Sequence, residues 1–166
     1  MATPCFIVQV LEDGRTRAVT CRSDGYISGV GAYLIRFYQD EAKIGRLMEK
    51  MVFSPIEAEV EDLELYVEPG EDQRDPSYPD IVSAIEALEL AGDMAFIWEK
   101  GGWTVAALDI DPETNRFVLG ERTPLTRELI LGEDPTMGPW LDETKPPLTL
   151  AQALDDFREK SGSEGG

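Results

Sequence analysis

Apolar and polar residues alternate through the first 21 positions. "FIVQV" (6–10) and "TRAVTC" (16–21) both show the period of two expected of half-buried strands, and "EDGR" (12–15) between them offers Asp13-Gly14 as a two-residue hairpin turn. With that turn Phe6 faces Cys21 and Cys5 faces Arg22, so Phe6, Val8, Val10, Val19 and Cys21 share a core face. The two sulfurs then fall on opposite sides of the ribbon. From Val30 the period becomes helical. Val30, Tyr33, Leu34, Phe37 and Tyr38 line one side, with Ser28 as N-cap. A second helix is predicted in "DEAKIGRLMEKM" (40–51), capped by Asp40, with Ile44, Leu47, Met48 and Met51 inward.

"SPIEAEVEDLELYVEP" (54–69) carries two patterns. Ser54-Pro55-Ile56-Glu57 has the form of a capping box with proline at the first helical position, whereas Ile56, Ala58 and Val60 alternate with Glu57, Glu59 and Glu61. A short turn leading into a strand at about 62–68 satisfies both. A loop then runs to Asp80, followed by a helix in "DIVSAIEALELAG" (80–92) that stops at Gly92. "MAFIW" and "WTVAALDI" form a hairpin around "EKGG", and "RFVLG" adds a strand. The last helix is expected in "TLAQALDDFREK" (149–160), with Thr149 and Gln152 as a capping box.

These elements predict a single α+β domain. It has an antiparallel sheet, made of the N-terminal hairpin plus later strands, two to three packed helices and an irregular C-terminal extension. Residues 1–110 form the domain, 111–160 the extension with its helix, and 161–166 a disordered tail. A chain of 166 residues, 42% hydrophobic, is long enough for a sizeable core. No run of about 18 apolar residues and no signal peptide is recognisable, which predicts a cytoplasmic protein with no membrane partner.

The absence of histidine removes the commonest general base and the imidazole ligands of most zinc and iron sites. Two cysteines are too few for a disulfide framework and are read as reduced thiols. No cofactor or metal is expected, and an enzyme is disfavoured.

Charge changes the picture most. The net charge is −18. Residues 1–50 carry seven bases against six acids, 51–100 two against 14, and 101–166 six against 13. A surface of this kind repels nucleic acid and anionic membranes and attracts basic proteins. Glu57, Glu59, Glu61, Asp62, Glu64, Glu68, Glu71 and Asp72 lie within 16 residues with no base between them. In an extended chain alternate carboxylates stand about 6.5–7 Å apart. These eight acids are the candidate partner-binding residues; solubility, or adaptation to a salty cytoplasm, is the competing account of the same charge.

Other candidates are weaker. Gly29-Val30-Gly31 supplies two glycines of a dinucleotide loop, but Leu34 stands at the third, and Ala32-Tyr33 stand where a Walker loop needs Lys and Ser or Thr. A glycine-rich turn into a helix explains the stretch better. "DIDPETNRF" spaces Asp109, Asp111, Glu113 and Asn115 like a calcium loop, but Thr114 occupies the obligatory glycine position and Gly120 the bidentate glutamate position, so a β-turn is expected. Cys21 lies near Arg17 and Arg22 in sequence and reads as a core thiol. Trp98 and Trp103 read as a cross-strand pair.

"DGYISGVGAYLIRFYQDEAKIGRLM", "LELYVEPGED" and "FIWEKGGWTVAAL" together resemble a family of small uncharacterised phage and bacterial proteins that carry a W-D-G-Y-P-x-G-x-G segment, a helix and a late aromatic hairpin. Asp24, Gly25, Tyr26, Gly29, Gly31 and Trp103 match the pattern, whereas Ser23 and Ile27 stand at its usual Trp and Pro. The resemblance covers residues 5–108. It implies a small α+β domain and a phage or phage-bearing bacterial source, and carries no activity.

The leading expectation is a non-enzymatic acidic binding protein, in its most specific form a phage-encoded inhibitor that mimics nucleic acid on a basic host protein. The alternatives are an assembly component anchored through Pro139, Trp140 and Leu141 of the extension, and a small enzyme using Asp24 and Tyr26.

Overall fold

A computed structural model describes residues 3–65 and 77–141. In chain order it contains β1 (Cys5–Val10), β2 (Thr16–Cys21), a π-helical turn (Ile27–Gly31), α1 (Ala32–Phe37), α2 (Glu41–Leu47), β3 (Val52–Phe53), α3 (Ile81–Glu86), β4 (Met94–Glu99), β5 (Gly102–Ile110), β6 (Phe117–Leu119), β7 (Thr123–Pro124) and α4 (Arg127–Glu133). The expected helix at 149–160, the tail, and the acids Glu68, Glu71 and Asp72 lie outside the described residues.

The N-terminal hairpin forms where alternation predicts it, but its loop is one residue longer than a two-residue turn. Leu11 donates its N–H to Arg15 O, Gly14 donates to Leu11 O, and Asp13 Oδ1 accepts from Arg15 N–H. Gly14 takes φ +88°, the left-handed conformation that a three-residue hairpin loop requires and that a residue with a Cβ resists. Cys5 therefore pairs with Cys21, Ile7 with Val19 and Gln9 with Arg17. A slip of one residue transposes faces. The expected face of Phe6, Val8, Val10, Val19 and Cys21 is accordingly divided, and the two cysteines lie on the same side.

The strands lie in the order β3-β2-β1-β4-β5-β6, with β7 also paired to β5. The two hairpins are antiparallel, as expected, but the sheet as a whole is mixed, because β1 runs parallel to β4 and β2 parallel to β3. A parallel neighbour needs a crossover, and the 83-residue interval between β1 and β4 holds α1 and α2 on one face and α3 on the other. Both faces are consequently buried. Cys5, Ile7, Val19, Cys21, Phe96 and Trp98 pack beneath Val30, Leu34, Tyr38, Ile44, Leu47 and Ile130. Phe6, Val8, Ala95, Ile97 and Leu108 pack beneath Ile85 of α3.

The helices follow their predicted faces with altered ends. Asp40 caps α2 by accepting from Lys43 N–H, whereas Ser28 does not cap α1 and lies inside the π-helical turn. Asp80 caps α3, which stops at Glu86, six residues before the expected stop at Gly92. Residues 111–141, read from sequence as a turn-rich extension, supply β6, β7 and α4, and Leu125, Ile130 and Leu141 enter the core shared with the first helix. The chain among its described residues is a single α+β domain. No helix among them is long and apolar enough to cross a membrane.

Candidate functional site

The chain leaves β2 through a turn held from three sides. Arg22 donates its N–H to Phe53 O, the Ser23 hydroxyl is bonded to that of Ser54, and Gly25 donates its N–H to Thr3 O. Asp24 sits at φ 56°. Its carbonyl accepts from Val30 N–H at 2.8 Å, so the π-helical turn folds back over it. Gly29 is required there, because a Cβ at this position would come 2.3 Å from Asp24 O.

That geometry settles what the glycines do. A phosphate cradle needs N–H groups aimed outward. Here Gly29 and Gly31 donate to Tyr26 O, Val30 donates to Asp24 O, and both the N–H and the hydroxyl of Ser28 donate to Glu133 Oε1, at 2.8 and 2.7 Å. A carboxylate from the end of α4 thus holds the place an anion would take.

Beside this turn lies a recess of about 220 Å³ lined by Asp24, Tyr26, Ser28, Tyr33, Ile56 and Asp134, among others. Tyr26 is 42% exposed and donates its hydroxyl to Asp24 Oδ1 at 3.0 Å. That bond raises its pKa, and the nearby charges of Asp24, Glu133 and Asp134 act in the same direction. Burial pushes Tyr33 up to about 12, helped by the charges of Glu57 and Asp24. Tyr38 is raised too, by burial first and then by Glu59, Glu61 and Glu57. Carboxylates therefore follow one another from Glu133 and Asp134 past Asp24 and Glu57 to Glu59 and Glu61, with tyrosines between them.

Over its described residues, 57–65, the acidic run does not form an extended strand. Ser54-Pro55 is cis, Val60–Asp62 form a 3₁₀ turn, and Leu65 meets Phe53 in a single antiparallel bridge. Glu57 is buried, contrary to its expected place on the surface, because Ile56, Glu57 and Ala58 are all turned into the protein. Their backbone is tied down there. Tyr38 donates its hydroxyl to Glu57 O at 2.7 Å, and Lys43 Nζ donates to Ala58 O at 2.6 Å and to Phe37 O at 2.7 Å. Glu59, Glu61, Asp62 and Glu64 are exposed. Lys43 stands 3.9 Å from Glu59 and Arg46 2.5 Å from Glu61, so α2 brings two bases to a stretch that has none in sequence.

Of the motif residues, Asp24, Gly25, Tyr26, Gly29 and Gly31 meet in this one turn. Trp103 does not join them. It packs edge-on to Trp98 with ring centroids 5.3 Å apart, and its indole N–H donates to Tyr38 O. Trp140 packs against Tyr33 and, edge-on, against Phe37, and Leu141 is buried, while Pro139 is exposed, so two of the three expected anchor residues are used within the molecule. Asp109, Asp111, Glu113 and Asn115 flank a tight turn closed by Asp111 N–H to Arg116 O. No group of three or more Asp, Glu or Cys side chains among the described residues is placed to hold a metal ion. Two larger concavities, of about 400 and 780 Å³, open near the hairpin tips, and among the described residues neither has an aromatic wall.

Sequence reasoning missed Glu133, Asp134 and the true role of Ser28. The Ser28–Glu133 contact spans 105 residues, and the only local signal was Asp134-Pro135, which marks a turn. Comparison with protein-family models, with curated proteins and with solved structures finds no match.

Proposed function

We propose that this protein is a non-enzymatic acidic binding protein that engages a basic protein surface. The observation that carries the reading is the exposed set Glu59, Glu61, Asp62 and Glu64, together with the recess in which Asp24 and Asp134 meet the exposed Tyr26. Carboxylates pair with Arg and Lys as phosphates do, and aromatic faces beside them accept guanidinium or ammonium groups. A nucleic-acid-binding host protein, with its groove lined by bases, is the partner such a surface fits, and a phage source would make the protein an inhibitor of that host factor. Two features favour binding over catalysis. Tyr26 is held as a neutral phenol by Asp24, and Glu133 is engaged with Ser28.

The test is capture from host lysate at low and high salt. The expected result is a nucleic-acid-binding protein retained at low salt and released both by high salt and by added DNA, since screening weakens exposed pairs beyond a Debye length of about 8–10 Å. Replacing Glu59, Glu61 and Glu64 together by Gln should reduce the captured amount at least tenfold. A partner held equally at both salts, or unaffected by the triple change, would overturn the proposal.

A further inference from the structure

We propose that Cys5 and Cys21 form a modification site, a facing dithiol that a hydroperoxide converts into an intrachain disulfide. This inference is independent of the binding function above. It begins with the hairpin register, which places Cys5 opposite Cys21. Within β2 and just beyond it, Thr16, Thr20 and Arg22 direct their N–H groups away from β1, to Tyr78 O, Met51 O and Phe53 O. The alternate residues Arg17, Val19 and Cys21 therefore face β1 through the ladder, and Cys5–Cys21 is one of its hydrogen-bonded pairs. Cα atoms in such pairs stand about 5.5 Å apart, inside the range of about 4.4–6.8 Å that a disulfide spans. Cβ atoms of such pairs stand about 5.5 Å apart and a disulfide draws them to about 4.5 Å or less, so closing the bond also pulls the two strand ends slightly together.

The two thiols already influence one another. Cys5 and Cys21 lie close enough to shift each other's acidity, and Cys21 Sγ donates to Ser23 O at 3.3 Å. Their acidities diverge. Burial pushes the Cys5 thiol well above its ordinary value, while the neighbouring Cys5 side chain draws the Cys21 thiol below it. Cys21 is thus the attacking sulfur. Its thiolate forms an S–O bond with the peroxide, the O–O bond breaks, and the departing hydroxide takes up a proton as water, leaving a sulfenic acid. The Cys5 sulfur then attacks that sulfur as its proton leaves. The S–S bond forms, the S–O bond breaks and a second water departs. The two sulfurs together lose two electrons, and one hydrogen peroxide becomes two waters.

Both side chains are fully buried, so access depends on opening of the ladder end, where Cys5 is the first residue of β1. The same position ties the pair to the candidate site. Gly25 lies against Cys5, since a Cβ on it would come 2.7 Å from Cys5 Cβ, and the Ser23 carbonyl that Cys21 supports immediately precedes Asp24. Oxidation removes that donor from beneath the turn that carries Asp24 and Tyr26.

The experiment uses the reduced, folded full chain, treated with hydrogen peroxide at neutral pH, quenched with catalase, unfolded and alkylated. The expected product has lost the mass of two hydrogens, takes up no alkylating agent where the reduced chain takes up two, and yields a peptide joining Cys5 to Cys21. In C5S, dimedone should trap a sulfenic acid on Cys21, and in C21S the labelling of Cys5 should fall at least tenfold below that level. Thiols that stay reduced in the folded chain under conditions that oxidise the urea-unfolded chain would overturn the proposal, as would a disulfide found only between two chains. The wild-type measurement stands even if a variant fails to fold.

Discussion

At the scale of single residues, two glycines with the same letter have opposite meanings. Gly29 lies where a Cβ would strike Asp24 O at 2.3 Å, whereas Gly45 in α2 has nothing within 4 Å of that position. Gly29→Ala should lower stability by about 1–3 kcal/mol, since backbone must move to admit the methyl group. Gly45→Ala should raise it by about 0.5–1 kcal/mol through helix propensity. Thermal unfolding of the two variants checks both. Equal shifts of one sign would mean that the turn at Asp24 yields more readily than its packing implies. Lys43 has no such latitude, because its ammonium, carried on α2, ties the end of α1 to the acidic segment through the Phe37 and Ala58 carbonyls and lies 4.5 Å from the centre of the Tyr38 ring.

At the scale of elements, the cap of α3 carries a pH dependence. Asp80 accepts from Ser83 N–H at 2.8 Å, and the hydrogen bonds from the Ser83 backbone and side chain hold its carboxyl below the usual carboxylate range. Its pKa is lower folded than unfolded, so its contribution is complete above the unfolded value and disappears as pH falls through the folded one. Asp80→Ala should cost about 1 kcal/mol near neutrality, as lost caps do, and the difference from wild type should vanish in acid. Denaturant unfolding at pH 7 and pH 2.5 checks this; a gap that persists in acid would show that the cap does not act through its charge. Elements of this kind were legible in the sequence. Alternation in 6–10, 16–21 and 94–110 gave the two hairpins, and Asp40 announced α2. Register was not legible, because Asp13-Gly14 is compatible with both a two-residue and a three-residue loop, and the choice depends on whether Leu11 pairs with Arg15. The candidate site was half legible. Asp24, Gly25, Tyr26 and Gly29 are consecutive enough to draw attention, but Glu133 reaches them only through tertiary packing.

At the scale of the whole molecule, 33 acids against 15 bases make self-repulsion a global property. The exposed ion pair Glu61–Arg46 offsets little of it, since such pairs contribute about 0–1 kcal/mol. Raising ionic strength from about 10 mM to about 150 mM shortens the Debye length from about 30 Å to about 8 Å. The midpoint of thermal unfolding should therefore rise with added salt, over the same interval in which partner capture falls. A midpoint that drops instead would show that the local pairs outweigh the net charge.

The loop at Glu12–Gly14 has a consequence for how this chain can vary. Hairpin tips ordinarily absorb insertions and deletions. The first hairpin does not, because both faces of its strands are core. Deleting one residue there would carry Arg17 toward the layer under α3 and send Val19 and Cys21 after it, exchanging the linings of two cores at once. Apart from Gly14, the loop can change its letters but not its count, and its length acts as the reading frame of the fold.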